Sequence, residues 1–223
     1  EKSASIFVYH RFGENSFPST NIRLEQFKKH INELKRNNYN IIPIPEIINA
    51  YINNEELPKK TIGISIDDAF LSIYKKAWPL LKKNKIPFTI FVSTGPVNSG
   101  SKNYMNWKQI RELVDSGVNI GNHTVNHLHL ANETEETVRK EIEEANTAFL
   151  ENLGFSPKIF AYPYGEYTHE IKNIVKEYNF KAAFGQQSGV LFDKIDMFEL
   201  PRFAMNEKYG DIDRFKFAAN SFG

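Results

Sequence analysis

The chain has 223 residues, with 28 lysines and arginines against 27 aspartates and glutamates, a formal net charge of +1, and no cysteine. Balanced charge, with the lysines spread along the chain, argues against an electrostatic nucleic-acid or anionic-membrane binder, and the absence of cysteine removes disulfides and thiolate metal sites. The length is ordinary for a barrel with a large core, so one domain over residues 1–223 is the economical count, and no stretch approaches the length of a membrane span.

In chain order, an apolar strand at 5–10 precedes a helix at 24–36, a strand at 40–44 and a helix at 45–52. A second strongly apolar strand, 61–66, leads to a helix at 71–83 and a strand at 88–93. The segment 94–104, rich in Gly, Ser and Asn, reads as a loop. Asn106 with Gln109, and Asn132 with Glu135, each match a capping box, while Gly117 and Gly154 stand where the two helices end. Strand 158–161, helix 168–178, strands 181–184 and 198–203, and a short helix from Asp211 complete the chain. This alternation predicts a parallel α/β arrangement.

Four of the apolar runs end in chemically capable residues. Tyr9 leads into His10 and Arg11, the run 61–66 into Asp67 and Asp68, the run 118–121 into His123 and His127, and the run 158–161 into Tyr162-Pro163-Tyr164-Gly165. In a β/α barrel the loops after the C-terminal strand ends build the active site. Two imidazoles four residues apart, with one carboxylate, make a three-ligand set that leaves a coordination position open for water, the pattern of a catalytic centre. Each part alone is compatible with a polar turn or a helix cap; the shared placement at strand ends separates the readings.

These motifs resemble those of the polysaccharide deacetylases, the NodB-homology or carbohydrate esterase four family. Ser65-Ile66-Asp67-Asp68 resembles its first motif, His123-Thr124-Val125-Asn126-His127 its second, and Tyr162-Pro163-Tyr164-Gly165 its third. The resemblance implies a distorted, incomplete (β/α)7 barrel in the α/β class. It implies that Asp68, His123 and His127 hold one divalent metal ion, zinc first, with cobalt, nickel or iron suiting the same donors, and that Asp67 is the general base. It also places the enzyme outside the cytoplasm, as a secreted, periplasmic or cell-surface protein.

Two positions depart from the family pattern. Ala161 stands where many members carry an arginine, and no histidine follows His169 to serve as a C-terminal general acid. The opening Val8-Tyr9-His10-Arg11 resembles the branch that deacetylates biofilm poly-N-acetylglucosamine, where the acid histidine lies near the N-terminus. His10 is then the expected acid, and Arg202 is a possible source of the missing guanidinium. Tyr164 is expected to serve both catalysis and substrate binding, with Trp107 as a second sugar-stacking aromatic. His129 is read as loop lining, and His30 and His169, on predicted helices, as solvated.

The expected reaction is metal-dependent N-deacetylation of a β-linked N-acetylglucosamine polymer, best matched by the β-1,6-linked form, by a monomer. The competing readings are a peptidoglycan or chitin-oligosaccharide deacetylase, and an inactive glycan-binding module on the same fold.

Overall fold

The structure is a computed structural model and describes residues 2–221. Its strands are, in order, β1 (Ser3–Tyr9), β2 (Arg11–Phe12), β3 (Asn21–Ile22), β4 (Asn40–Ile41), β5 (Thr61–Asp67), β6 (Thr89–Val92), β7 (Asn119–Asn122), β8 (Ile159–Ala161), β9 (Ala182–Phe184), β10 (Leu191–Phe192) and β11 (Phe203–Ala204). The helices are α1 (Leu24–Arg36), α2 (Ile44–Ile52), α3 (Trp78–Lys83), α4 (Thr94–Asn98), α5 (Trp107–Asp115), α6 (Glu135–Leu153), α7 (His169–Lys176) and α8 (Ile212–Ala219).

Strands β1, β5, β6, β7, β8 and β9 lie side by side in that order and pair in parallel. Leu200 then bridges in parallel to Phe184, and β11 pairs in parallel with Phe7 and Val8 of β1, so segment 200–204 curls the sheet back to its first strand. The result is the distorted, incomplete (β/α)7 barrel expected from the sequence, its seventh position filled by an irregular segment. At the other end of β1, β10 pairs antiparallel with Ser3 and Ala4.

Every residue of β5 is buried, as a parallel strand covered on both faces requires. Inside the curl, Ile6, Phe91, Ile159, Phe184, Leu191 and Leu200 pack together, and α2 adds Ile44, Ile47 and Ile48 to the same cluster. Gly121 makes this interior possible. A Cβ at that position would sit 2.3 Å from the Phe91 ring.

Helix α1 spans the predicted residues, and the Asn106–Gln109 capping box forms as read. The second box does not form: Thr134 caps α6 through the Thr137 amide, and Asn132 lies in a 3-10 turn. Strand 40–44 stops at Ile41, because Pro43 has no N–H for the ladder and α2 begins one residue later. The helix read over 71–83 contains a π turn at Ile73–Ala77 before α3, and the strand read over 198–203 is interrupted at Pro201 and Arg202.

His30 also differs from expectation. It is fully buried, not solvated, with its ring stacked 4.1 Å from Phe215 at 13°. The Gly210 carbonyl 2.7 Å away can only accept, so Nε2 carries the proton, and Nδ1 accepts from the Tyr9 hydroxyl at 2.8 Å. Burial lowers the His30 pKa to about 4, opposed by the Gly210 carbonyl and the Asp211 charge. With the native value below the unfolded one, stability is fully present above about pH 6.5 and is lost as pH falls towards 4, by up to about 3 kcal/mol. Urea unfolding at pH 7 and 4.5 should show a smaller acid loss in His30→Gln, which keeps one donor and one acceptor but does not titrate; an equal loss would place the acid sensitivity elsewhere.

Candidate active site

The C-terminal ends of the parallel strands converge on one cavity of about 230 Å³, whose walls include His10, Thr20, Asp68, His127, Tyr164, Gln186 and Asn206. His10 follows β1, Asp67 ends β5 with Asp68 just beyond it, His123 follows β7, and Tyr164 lies in the turn after β8. The turns that carry these groups are bent unusually tightly. Asp68, Ala69, Thr124, His127 and Tyr164 all have positive φ, a left-handed conformation that costs non-glycine residues energy and concentrates at functional sites.

Asp68, His123 and His127 present donor atoms that all lie within 4.8 Å of one another. Asp68 Oδ1 is 3.1 Å from His123 Nε2 and 3.3 Å from His127 Nε2. Bonds of about 2.0–2.2 Å to a tetrahedral ion place neighbouring donors about 3.3 Å apart, so these separations fit one shared ion. His123 Nδ1 faces the Ala161 carbonyl at 2.7 Å and must donate to it, which turns the Nε2 lone pair towards Asp68. Among the described residues, Asp68 Oδ1 and His123 Nε2 are accordingly buried polar atoms without a hydrogen-bond partner. Two such acceptors in contact repel each other unless positive charge lies between them.

The electrostatics agree. Burial would raise the Asp68 carboxyl, but His123, His10 and His127 outweigh it and hold Asp68 well below the usual carboxylate range. Burial lowers the His123 imidazole, yet the charges of Asp67 and Asp68 push it above its ordinary value. His127 is lowered to about 4 by burial and by His123. A cluster that draws protons onto one imidazole and strips them from its carboxylates is one that favours a cation at its centre.

Asp67 is fully buried and faces Arg202, itself fully buried. Arg202 Nη1 donates to Asp67 Oδ1 at 2.8 Å and Nη2 to Oδ2 at 2.9 Å, a bidentate pair. Arg202 Nε donates to the Gly185 carbonyl at 2.7 Å, and Nη1 also reaches Ser65 Oγ at 3.2 Å. Burial alone would raise the Asp67 carboxyl, but Arg202 first, then His123 and His10, hold it below its ordinary value. A guanidinium thus reaches Asp67 from the closing segment of the barrel. His10 Nε2 stands 3.8 Å from Asp67 Oδ2.

Tyr164 is half exposed. Its ring stacks on His129 at 3.8 Å and 6°, and its centroid is 4.4 Å from that of His127. His129 in turn meets Glu166 Oε1 at 2.9 Å, so it covers one face of Tyr164 and leaves less of that ring for a sugar. Trp107, expected as a sugar platform, is not among the residues lining this cavity: its indole packs edge-on against Phe149, and Nε1 donates to Asn98. Sequence reading missed the neutral polar wall of Ser19, Thr20, Gln186 and Asn206, which lies on loops without any local motif.

Residues 54–183 match the family model described as polysaccharide deacetylase. The chain is 25% identical over 215 residues to the poly-β-1,6-N-acetyl-D-glucosamine N-deacetylase of Staphylococcus aureus, covering 90% of this chain and 73% of that protein. Among solved structures it resembles IcaB from Ammonifex degensii, with a TM-score of 0.85, 25% identity and coverage of 99% and 98% of the two chains. The deacetylase PplD of Streptococcus pyogenes shares the fold at a TM-score of 0.88 and 23% identity, over 97% and 98% of the chains.

Removing one partner of a buried ion pair leaves an uncompensated charge, at a cost of about 3–5 kcal/mol. Arg202→Met should therefore be destabilised by about that amount in denaturant unfolding, and Arg202→Lys by less, since an ammonium keeps the charge but not the fork. A loss under about 1 kcal/mol in Arg202→Met would show that the Asp67–Arg202 pair is not a structural necessity.

Proposed function

Because this chain belongs to the polysaccharide deacetylase family, a family of hydrolases acting on amide bonds of polysaccharides, we propose that its substrate is poly-β-1,6-N-acetylglucosamine and that it releases acetate from the N-acetyl groups. The observation that carries the reading is the cluster of Asp68, His123 and His127, two of whose buried donor atoms have no hydrogen-bond partner among the described residues, beside a carboxylate held ionised by a buried arginine. The β-1,6 linkage draws support from the named relative in Staphylococcus aureus and from the position of His10 ahead of the aspartate strand. The neutral polar cavity wall suits an uncharged glycan.

In this reading Asp68, His123 and His127 hold one divalent ion, and the donor set favours zinc. Once bound, such an ion supplies Lewis acidity to the acetamide carbonyl and lowers the pKa of the attacking water. Asp67 accepts that water's proton through an Oδ atom, and Arg202 keeps the carboxylate oriented and ionised until it does. The backbone N–H of Tyr164 donates to the developing oxyanion, and His10 Nε2–H protonates the departing glucosamine nitrogen. That proton matters because an amine anion is a poor leaving group. On this reading the enzyme works outside the cytoplasm, at the cell surface or beyond.

Acetate release should be faster from β-1,6-linked than from β-1,4-linked N-acetylglucosamine oligomers; the reverse order would move the substrate to chitin or peptidoglycan chemistry. Treatment with a chelator should abolish release and added zinc should restore it, while Asp67→Asn should bind zinc and still release no acetate. Unimpaired turnover in Asp67→Asn would remove Asp67 as the base.

His10→Ala should lose roughly 10²–10⁴-fold in kcat on the N-acetyl sugar, the usual worth of general-acid catalysis. An aryl acetate with a phenolate leaving group needs no such proton and should be affected much less. Equal losses on both substrates would mean that His10 shapes the cavity and does not donate a proton.

A further inference from the structure

The segment between the two histidines has to keep both imidazoles aimed at Asp68, although Thr124 and His127 both sit in the left-handed region, with φ of 67° and 53°. Hydrogen bonds from within and outside the segment hold it there. Asn122 Oδ1 accepts from the Thr124 amide at 2.8 Å, the amides of Thr94 and Gly95 donate to the carbonyls of Thr124 and Val125, and Thr124 Oγ1 accepts from the His127 amide at 3.2 Å. Gly95 approaches so closely that a Cβ there would lie 2.7 Å from the Val125 carbonyl.

Asn126, the residue next to His127, is held from α6. Glu141 is 4% exposed and places one carboxylate oxygen on each donor of Asn126: Oε1 accepts the backbone N–H and Oε2 the side-chain Nδ2–H, both at 2.8 Å. No lysine, arginine or histidine pairs with Glu141 among the described residues, so this buried carboxylate is spent on two neutral donors of one residue. Burial of an acidic side chain for that purpose needs a return elsewhere, because a charge is expensive to remove from water. The return available here is the orientation of the peptide that leads into His127.

We propose that Glu141 is a positioning residue for the metal centre: by clamping Asn126 at its backbone and side chain, it fixes the left-handed turn that presents His127 to Asp68. The inference rests on the proposed reading of Asp68, His123 and His127 as metal ligands. Outer groups that orient metal ligands change affinity by roughly 10–100-fold when removed. The clamp depends on making two hydrogen bonds to Asn126 and not on charge, so glutamine can replace it. With Asn126 turned over, the Gln Oε1 accepts the backbone N–H and its Nε2–H donates to Asn126 Oδ1.

The test is zinc affinity, measured by competition with a chromophoric chelator, for wild type, Glu141→Leu, Glu141→Gln and Asn126→Ala, each checked for folding by circular dichroism. Glu141→Leu should bind zinc roughly 10–100-fold more weakly. Glu141→Gln should stay within a few-fold of wild type. Asn126→Ala, a truncation at an exposed position, should lose several-fold because one arm of the clamp is gone. Should Glu141→Leu fail to fold, the Asn126→Ala result decides: wild-type zinc affinity in that variant overturns the proposal. A Glu141→Gln protein as weak as Glu141→Leu would overturn the hydrogen-bond clamp in favour of a charge effect. Wild-type protein that bound no zinc would overturn the reading of the ligands themselves, whereas tight wild-type binding unchanged in Glu141→Leu and Asn126→Ala would overturn the role of Glu141 alone.

Discussion

The bidentate pair between Arg202 and Asp67 is the constraint on which the rest of the site depends. Arg202 comes from the irregular segment that closes the barrel, and its guanidinium reaches Asp67 and Ser65 on β5 and the Gly185 carbonyl just beyond β9. Ser65 Oγ passes the connection on by donating to the Phe7 carbonyl of β1 at 2.7 Å. One side chain thus ties the seam of the curled sheet to the strand that carries the aspartates. A fully buried arginine is tolerable because its charge meets a carboxylate and two further N–H groups meet Gly185 and Ser65.

That pairing also sets the charge of the centre. Arg202 neutralises Asp67, which leaves Asp68 as a carboxylate whose buried Oδ1 faces only imidazole nitrogens. The donor atoms around Asp68 are therefore short of one positive charge, whereas the Asp67 side is not. Two adjacent residues of the same type end with opposite requirements: Asp67 is kept ionised without a metal, and Asp68 calls for one. The division of labour between base and ligand follows from which carboxylate the arginine reaches.

Backbone strain gathers at the same place. Asp68, Ala69, Thr124, His127 and Tyr164 hold left-handed conformations in turns whose carbonyls and amides are taken up by neighbouring elements. The Asp68 amide donates to Phe91, the Met105 amide to the carbonyl of Ala69, and the His123 amide to Val92. These bonds offset the strain and allow short side chains to meet at a point that ordinary strand ends would not reach.

The sequence alone determined the barrel's alternation and the chemistry at its strand ends. Asp67, Asp68, His123, His127, His10 and Tyr164 each lie at or shortly after the end of an apolar run, so their convergence on one end of a parallel sheet is a consequence of local pattern. What local pattern does not contain is the partner of a side chain across the fold. Arg202 lies 135 residues from the carboxylate it pairs with, and although it follows an apolar stretch, nothing near it in the chain names Asp67 as its partner. His30 looks like a helix surface residue until Tyr9 and Gly210 close over it, and Glu141 looks like one of several acidic residues on α6. Trp107 sits in a loop-to-helix junction that looked close to the site, yet packing against Phe149 turns its indole elsewhere. Period and motif specify which face and which strand end a residue occupies; only closure of the sheet decides which distant group it meets, because burial and hydrogen bonding are satisfied between elements and not within them.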